Sequence, residues 1–143
     1  MITLQQPWAW AVLAGIRPII TRSWSAPTEF TGPVLIHASR RRFDLAGSQW
    51  LTERGHEIPR GLQRGVIVGR AELACCVTDD VARFVLSQSD HVWLDSVPGA
   101  HHLVFNSPEF ATQTVAAHDT RNGGIVPAPR GWKAAFESPA DVG

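Results

Sequence analysis

"QPWAWAVLAGIRPIITRSW", residues 6 to 24, decides how the chain is read. Its first half, "QPWAWAVLAG", has the marks of a short helix. Pro7 fits the first helical position, where its missing N–H costs nothing, and Gly15 fits the left-handed position just past the last turn. Pro18 stops the helix from continuing. The second half, "IITRSW", reads as a strand with Ile20, Arg22 and Trp24 on one face and Ile19, Thr21 and Ser23 on the other. A buried strand has little use for unpaired guanidinium groups, so Arg17 and Arg22 need a reason to be there.

Working outward, "MITL" reads as a short first strand. "GPVLIHAS" (32–39) is another, with Pro33, Leu35 and His37 on one side and Val34, Ile36 and Ala38 on the other. "RRFDLAGSQWLTERG" (41–55) carries Phe43, Ala46, Gly47, Trp50 and Leu51 at helical spacing, with Gly55 closing an amphipathic helix. "RGVIVGRAELACCV" (64–77) is the strongest strand in the chain, and Gly69 offers it a bend. "TDDVARFVLSQ" (78–88) begins with a capping threonine and two acids, then turns helical. Strands are expected at 101–105 and 113–117 and a short helix at 129–137, with loops at 89–100 and 118–128. Strands spread through the chain with short helices between them make an α+β domain, a small mixed sheet or barrel with helices packed outside.

The 143 residues are one domain's worth, expected to span 1–143. No apolar run approaches the roughly 18 residues of a membrane span, and "MITLQQPWAW" has no signal-peptide pattern, so the reading is a cytoplasmic domain. Net charge is zero, but residues 1 to 70 hold nine arginines against four acids, and residues 71 to 143 hold four bases against nine acids. That asymmetry permits a basic face. Cys75 and Cys76 are adjacent, which suits small apolar fillers on opposite strand faces better than a disulfide or a zinc site. No metal-ligand spacing, phosphate loop or nucleophile elbow is present, and no cofactor is expected.

The run from "QPWAWAVLAGIRPIITRSW" into "GPVLIHAS" resembles the ASCH domain family, of the PUA-like superfamily. The resemblance covers residues 1 to 39, extends through "GVIVGRAELACC", and ends before about residue 90; the C-terminal third is divergent. It implies a small PUA-like β-barrel with short helices packed on the outside, and a cytoplasmic domain that binds single-stranded RNA or a modified nucleotide or nucleoside. The family's motif is Gly-x-Lys-x-x-Glu-x-Arg, lining a cleft beside the barrel. Gly15 and Arg22 match it, Arg17 stands at the lysine position, and Ile20 stands at the glutamate position. One branch of the family is an amidohydrolase acting on N4-acetylcytidine through a lysine, a threonine and a glutamate. Here the lysine and threonine positions are Arg17 and Ile20. Guanidinium does not give up its proton and isoleucine has no hydroxyl, so this activity is disfavoured. Glu72 lies in the strand equivalent to that of the branch's glutamate. A second branch is a single-strand ribonuclease, for which His37 is the candidate base; its alternative role is a buried histidine satisfied by the backbone.

The ligand-binding residues expected on this reading are Trp8, Arg17, Arg22, Trp24 and Arg70. One tryptophan, Trp8 before Trp10 or Trp24, should face the cleft, because a stacked base is worth about 1–3 kcal/mol. Trp50 is expected in a packing stripe. Arg22 could instead pair with an acid such as Glu72, Arg70 could pair with Glu72, and Arg40, Arg41 and Arg42 form a solvated run or a phosphate contact. The expectation is that Arg17 and Arg22 share one solvent-reachable hollow with no compensating acid. The rival functions are an RNA-directed hydrolase and a protein-interaction module.

Overall fold

The computed structural model describes residues 1–24, 31–120 and 124–138. In chain order it contains β1 (Ile2–Leu4), α1 (Trp8–Leu13), β2 (Ile19–Arg22), β3 (Gly32–Ala38), α2 (Leu45–Glu53), β4 (Val66–Thr78), α3 (Asp79–Val85), a 3-10 helix (Gln88–Trp93), β5 (His101–Ala116) and a second 3-10 helix (Trp132–Phe136). The five strands form one mixed sheet in the order β1-β3-β4-β5-β2. β1 runs parallel to β3, and the other neighbours are antiparallel. Among the described residues no ladder joins β1 to β2, so the hydrogen bonds leave the sheet open rather than closing it into a barrel. No described helix is long and apolar enough to cross a membrane.

Alternation along the strands builds three cores. Val34, Ile36 and Ala38 of β3 join Ile2, Leu4, Ile20, Leu73, Leu103 and the α1 residues Ala9, Val12 and Leu13 in the main one. Leu35, on the other face of β3, packs with Met1, Ile67 and Ala135 beneath the second 3-10 helix. Ile19, on the other face of β2, packs with Ala82 of α3 and with Leu94. Each fully buried Ile or Leu contributes about 1.5–3 kcal/mol. Gly69 lets α1 approach β4: a Cβ there would meet the Glu109 carbonyl and lie 2.6 Å from the Leu13 methyls.

α1 ends in a Schellman motif. Gly15 sits at φ +77°, its N–H donates to Val12 O, and the Ile16 N–H donates to Ala11 O. The Arg17 N–H also donates to Ala11 O, so the cap fixes where Arg17 leaves the helix. Pro7 precedes the first helical residue instead of occupying it.

Three expectations are corrected here. The segments 101–105 and 113–117 are one strand; Asn106, Ser107 and Pro108 read as a turn, yet the chain passes them with Ser107 at φ +50° and continues. The stretch 89–100 contains most of a 3-10 helix. Residues 129–137 form a 3-10 helix, shorter than the stretch that suggested it.

Candidate functional site

Two recesses flank the junction of α1, β2 and the β3–α2 connection. The first, of about 370 Å3, is lined by Trp8, Arg17, Asp44, Trp50, Trp93 and Asp95, among others. The second, of about 300 Å3, is lined by Thr3, Gln5, Arg22, Ser39, Arg41, Asp119 and Thr120. The same three chain segments pass from one to the other: residues 3–8, 17–22 and 39–47.

The tryptophan recess is built on α1. Trp8 Nε1 donates to Asp44 Oδ2 at 2.8 Å, and Asp44 caps α2 by accepting from the Gly47 N–H at 2.9 Å. Gly47 has to be glycine, because a Cβ there would lie 2.6 Å from Trp8 Cζ2. Trp50 follows one turn later, with its ring centroid 6.3 Å from that of Trp8 and 5.2 Å from that of Trp93. Arg54 stacks over Trp50 at 3.6 Å. The three indoles are half-buried and tilted by 56° and 59°, an aromatic wall with one side to solvent.

Arg17 lies within this wall. Its guanidinium is 4.6 Å from the Trp8 centroid and 5.6 Å from that of Trp93. Nε donates to Ile19 O at 2.9 Å, and Nη2 donates to Asp95 Oδ2 at 3.0 Å. The residue is 7% exposed, while the Asp95 side chain is 58% exposed. The expectation of an uncompensated pair in one hollow is therefore corrected. Arg17 and Arg22 line separate recesses, and Arg17 has an acid 78 residues further along the chain.

Arg22 is half-buried, with Nη1 donating to Thr21 O at 2.9 Å. Burial lowers its pKa below the usual guanidinium value, the nearby Arg17 charge lowers it further, and Asp95 raises it by less. The carboxylate of its own recess, Asp119, is already engaged: Oδ2 accepts from Ser39 Oγ at 2.6 Å and Oδ1 from the Arg40 N–H at 3.1 Å. Burial opposes the Asp119 charge, but these hydrogen bonds, His37 and Arg41 together hold its pKa below the usual carboxylate value.

The remaining expected residues lie elsewhere. Trp24 packs on the main core. Trp10 lines a recess with Leu13 and Phe110. Arg70 pairs with Glu109 at 2.6 Å, not with Glu72, and stacks over Phe136 beside an apolar recess that includes Trp132. Glu72 is exposed on β4 and lines none of these recesses. Trp50, expected in a packing stripe, forms part of the recess wall instead. Cys75 and Cys76 are free and half-buried, and burial raises the Cys75 pKa.

His37 is fully buried with both ring nitrogens engaged. The Ala117 carbonyl can only accept, so Nε2–H donates to it at 2.9 Å, and Nδ1 of the neutral ring accepts from Thr3 Oγ1 at 3.0 Å. A base held this way has no lone pair to offer a substrate, which removes His37 as the candidate base. A second threonine–histidine pair has a suggestive connectivity: Thr21 Oγ1 to His102 Nδ1 at 2.8 Å, and His102 Nε2 to Asp79 Oδ1 at 2.8 Å. Thr21 and His102 are buried, and Thr21 lines neither recess. Both pairs are direct cross-strand partners between an edge strand and its neighbour, Thr3 with His37 and Thr21 with His102. The repetition marks them as clamps that hold β1 and β2 to the sheet. Among the described residues no three His, Cys, Asp or Glu side chains gather as a metal site.

Trp93, Asp95, Asp44 and Asp119 were not picked out from the sequence. Asp44 had a local signal, an Asp three residues before a glycine N–H at the start of a helix. Asp95 and Trp93 had none, because they reach the recess from the end of the first 3-10 helix and the residues just after it, 78 and 76 residues after Arg17.

No family model matches the chain, and no curated protein matches it. Two solved structures of ASCH from Zymomonas mobilis are similar to it. A point-mutant form superposes with a TM-score of 0.50 at 14% identity, covering 80% of this chain and 73% of that one. The fold is that of an ASCH protein. The second structure gives a TM-score of 0.48 at 14% identity, with 80% and 71% covered.

Proposed function

We propose that this chain is a cytoplasmic, single-domain, PUA-like module that binds single-stranded RNA or a modified nucleotide. A base packs against the Trp8, Trp50 and Trp93 wall, and a phosphate enters the recess of Arg22 and Arg41. The observation that carries the reading is the lining of the second recess. Arg22 and Arg41 line it together, and its carboxylate, Asp119, is already bonded to Ser39 Oγ and the Arg40 N–H, which leaves the two guanidinium groups to an incoming anion. Three chain segments, 3–8, 17–22 and 39–47, each contribute residues to both recesses, which supports one ligand reaching both.

Arg17 serves this site indirectly. Tied to Asp95, Ile19 and two indoles, it positions the aromatic wall and leaves phosphate contact to Arg22 and Arg41. That arrangement argues against an amidohydrolase centred on Arg17, as does Ile20, which is buried in the main core.

The test is fluorescence anisotropy with a labelled ten-nucleotide single-stranded RNA, read alongside tryptophan quenching. Wild type should bind and be quenched, and Trp50→Ala should weaken binding by about 1–3 kcal/mol, the worth of one stacked base. Quenching that persists undiminished in both Trp50→Ala and Trp93→Ala, or turnover of the RNA, would sink the reading.

A further inference from the structure

Apart from the tryptophan and arginine recesses lies an apolar one of about 450 Å3, a size typical of small-molecule pockets, which run from about 300 to 1,000 Å3. Pro33, Leu35, Ile125, Val126 and Trp132 line it, and among the described residues Arg70 is its one charged lining. Leu35, Val126 and Trp132 also belong to the second core, so the recess continues that core outward. Its wall at 125–128 is tied to the start of the chain, because the Val126 N–H donates to Met1 O at 3.0 Å. Leu35, Arg70 and Glu109 are direct partners in one row across β3, β4 and β5. Arg70 Nε donates to Glu109 Oε2 at 2.6 Å, and its guanidinium carbon lies 4.2 Å from the Phe136 ring centroid. The bond and the ring together fix the plane of the guanidinium. Among the described residues neither Nη group of Arg70 has an acceptor, and Glu109 does not line the recess. The forked end of the group is therefore left over, on a side chain only 36% exposed.

We propose that this recess binds a small apolar monocarboxylate, whose carboxylate accepts from the two Nη groups of Arg70 while its hydrocarbon or aryl body packs on Leu35, Val126 and Trp132. Two carboxylate oxygens match the planar fork of a guanidinium, and that match fixes orientation as well as charge. The apolar lining takes the rest of the molecule, in the usual division of a ligand site between a greasy wall and one placed polar group. A single cation, already shared with Glu109, balances a single negative charge. A dianion such as a phosphate monoester would be desolvated with too little to offset it, and a cation would meet Arg70 head on. A neutral ligand of the same shape would leave the Nη groups without an acceptor. The recess shares no lining residue with the tryptophan and arginine recesses and stands independently of the RNA reading.

The experiment titrates the whole chain by calorimetry with octanoate, cinnamate and naphthoate, each beside its primary amide. At least one acid should bind, and its amide should bind about tenfold or more weakly, the worth of a hydrogen bond to a charged group. Arg70→Gln, checked for folding by circular dichroism, should weaken the acid by a similar factor and leave the amide unchanged. Glu109→Gln keeps an acceptor for Nε and should bind the acid at least as well as wild type. Ala128→Trp, at an exposed position that lines the recess, should fill it and weaken acid and amide alike. Arg22→Ala should leave the acid Kd unchanged. Any of four results would overturn the proposal: no acid of the panel binds, acids and amides bind equally well, Ala128→Trp binds the acid as wild type does, or single-stranded RNA displaces the acid and so claims the recess for the nucleic-acid surface.

Discussion

Removing Asp95 should move stability and RNA affinity in opposite directions. The Arg17 side chain is 9% exposed and that of Asp95 58%, so their bond at 3.0 Å is neither a fully buried ion pair nor a surface one. Breaking a buried pair costs about 3–5 kcal/mol and an exposed one about 0–1. After Asp95→Ala, Arg17 keeps its bond to Ile19 O and its contacts with Trp8 and Trp93. The expected loss is therefore about 1–2 kcal/mol, a fall in Tm of roughly 2–8 °C for a chain of this size. The same change removes a carboxylate that offsets Arg17 at Arg22. Single-stranded RNA should then bind more tightly at low salt, with a log–log salt slope steeper by up to about 0.7 if Arg17 gains a phosphate contact. Thermal denaturation followed by circular dichroism, with RNA anisotropy at several salt concentrations, reads both effects. If Tm and affinity fall together, Asp95 touches the ligand and the positioning argument is wrong. If neither changes, the ion pair contributes nothing.

Two further outcomes follow from the packing and the titrations. Gly47→Ala drives a methyl to within 2.6 Å of Trp8 Cζ2 and 2.8 Å of Asp44 Oδ2. It should cost about 1–3 kcal/mol by urea denaturation, alter the near-UV tryptophan signal and weaken RNA binding; an unchanged near-UV spectrum would show that the Trp8–Gly47 contact is not tight. His37 is buried and its pKa is lowered by that burial, against the raising effect of the Ala117 carbonyl and Asp119. The unfolded chain therefore takes up a proton before the native one does, so stability holds above about pH 6.5 and falls as pH drops below it. The slope should be at most about 1.4 kcal/mol per pH unit, and His37→Asn should flatten it between the unfolded and folded values. The depressed carboxyl of Asp119 acts lower, its contribution being lost as pH falls below about 4. A wild-type Tm that stays level from pH 7 to pH 5 would contradict the buried-histidine assignment.

What the sequence revealed was local. The α1 cap at Gly15, the two faces of β2 and β3, and the long β4 strand all follow from residue patterns within a few positions. The ASCH fold was suggested by residues 1 to 39, whose quoted stretches supply β1, α1, β2 and β3. What was hidden was non-local. Nothing near Arg17 announces Asp95 or Trp93, which the end of the first 3-10 helix brings to it from later in the chain. The single β5 strand reads as two segments, 101–105 and 113–117; Asn, Ser and Pro at 106–108 are turn-forming residue types, yet pairing with β4 carries the chain across them. The burial of His37 could be framed from its strand face, but its two partners come from residues 3 and 117.

The account stands most directly on Arg22. The decisive measurement is the salt dependence of single-stranded RNA binding by wild type and by Arg22→Ala, with circular dichroism to confirm an intact fold. Loss of one phosphate contact should weaken binding and flatten the log–log slope by about 0.7. An unchanged affinity and an unchanged slope would mean that no phosphate meets Arg22, and the proposed nucleic-acid surface would have to be abandoned.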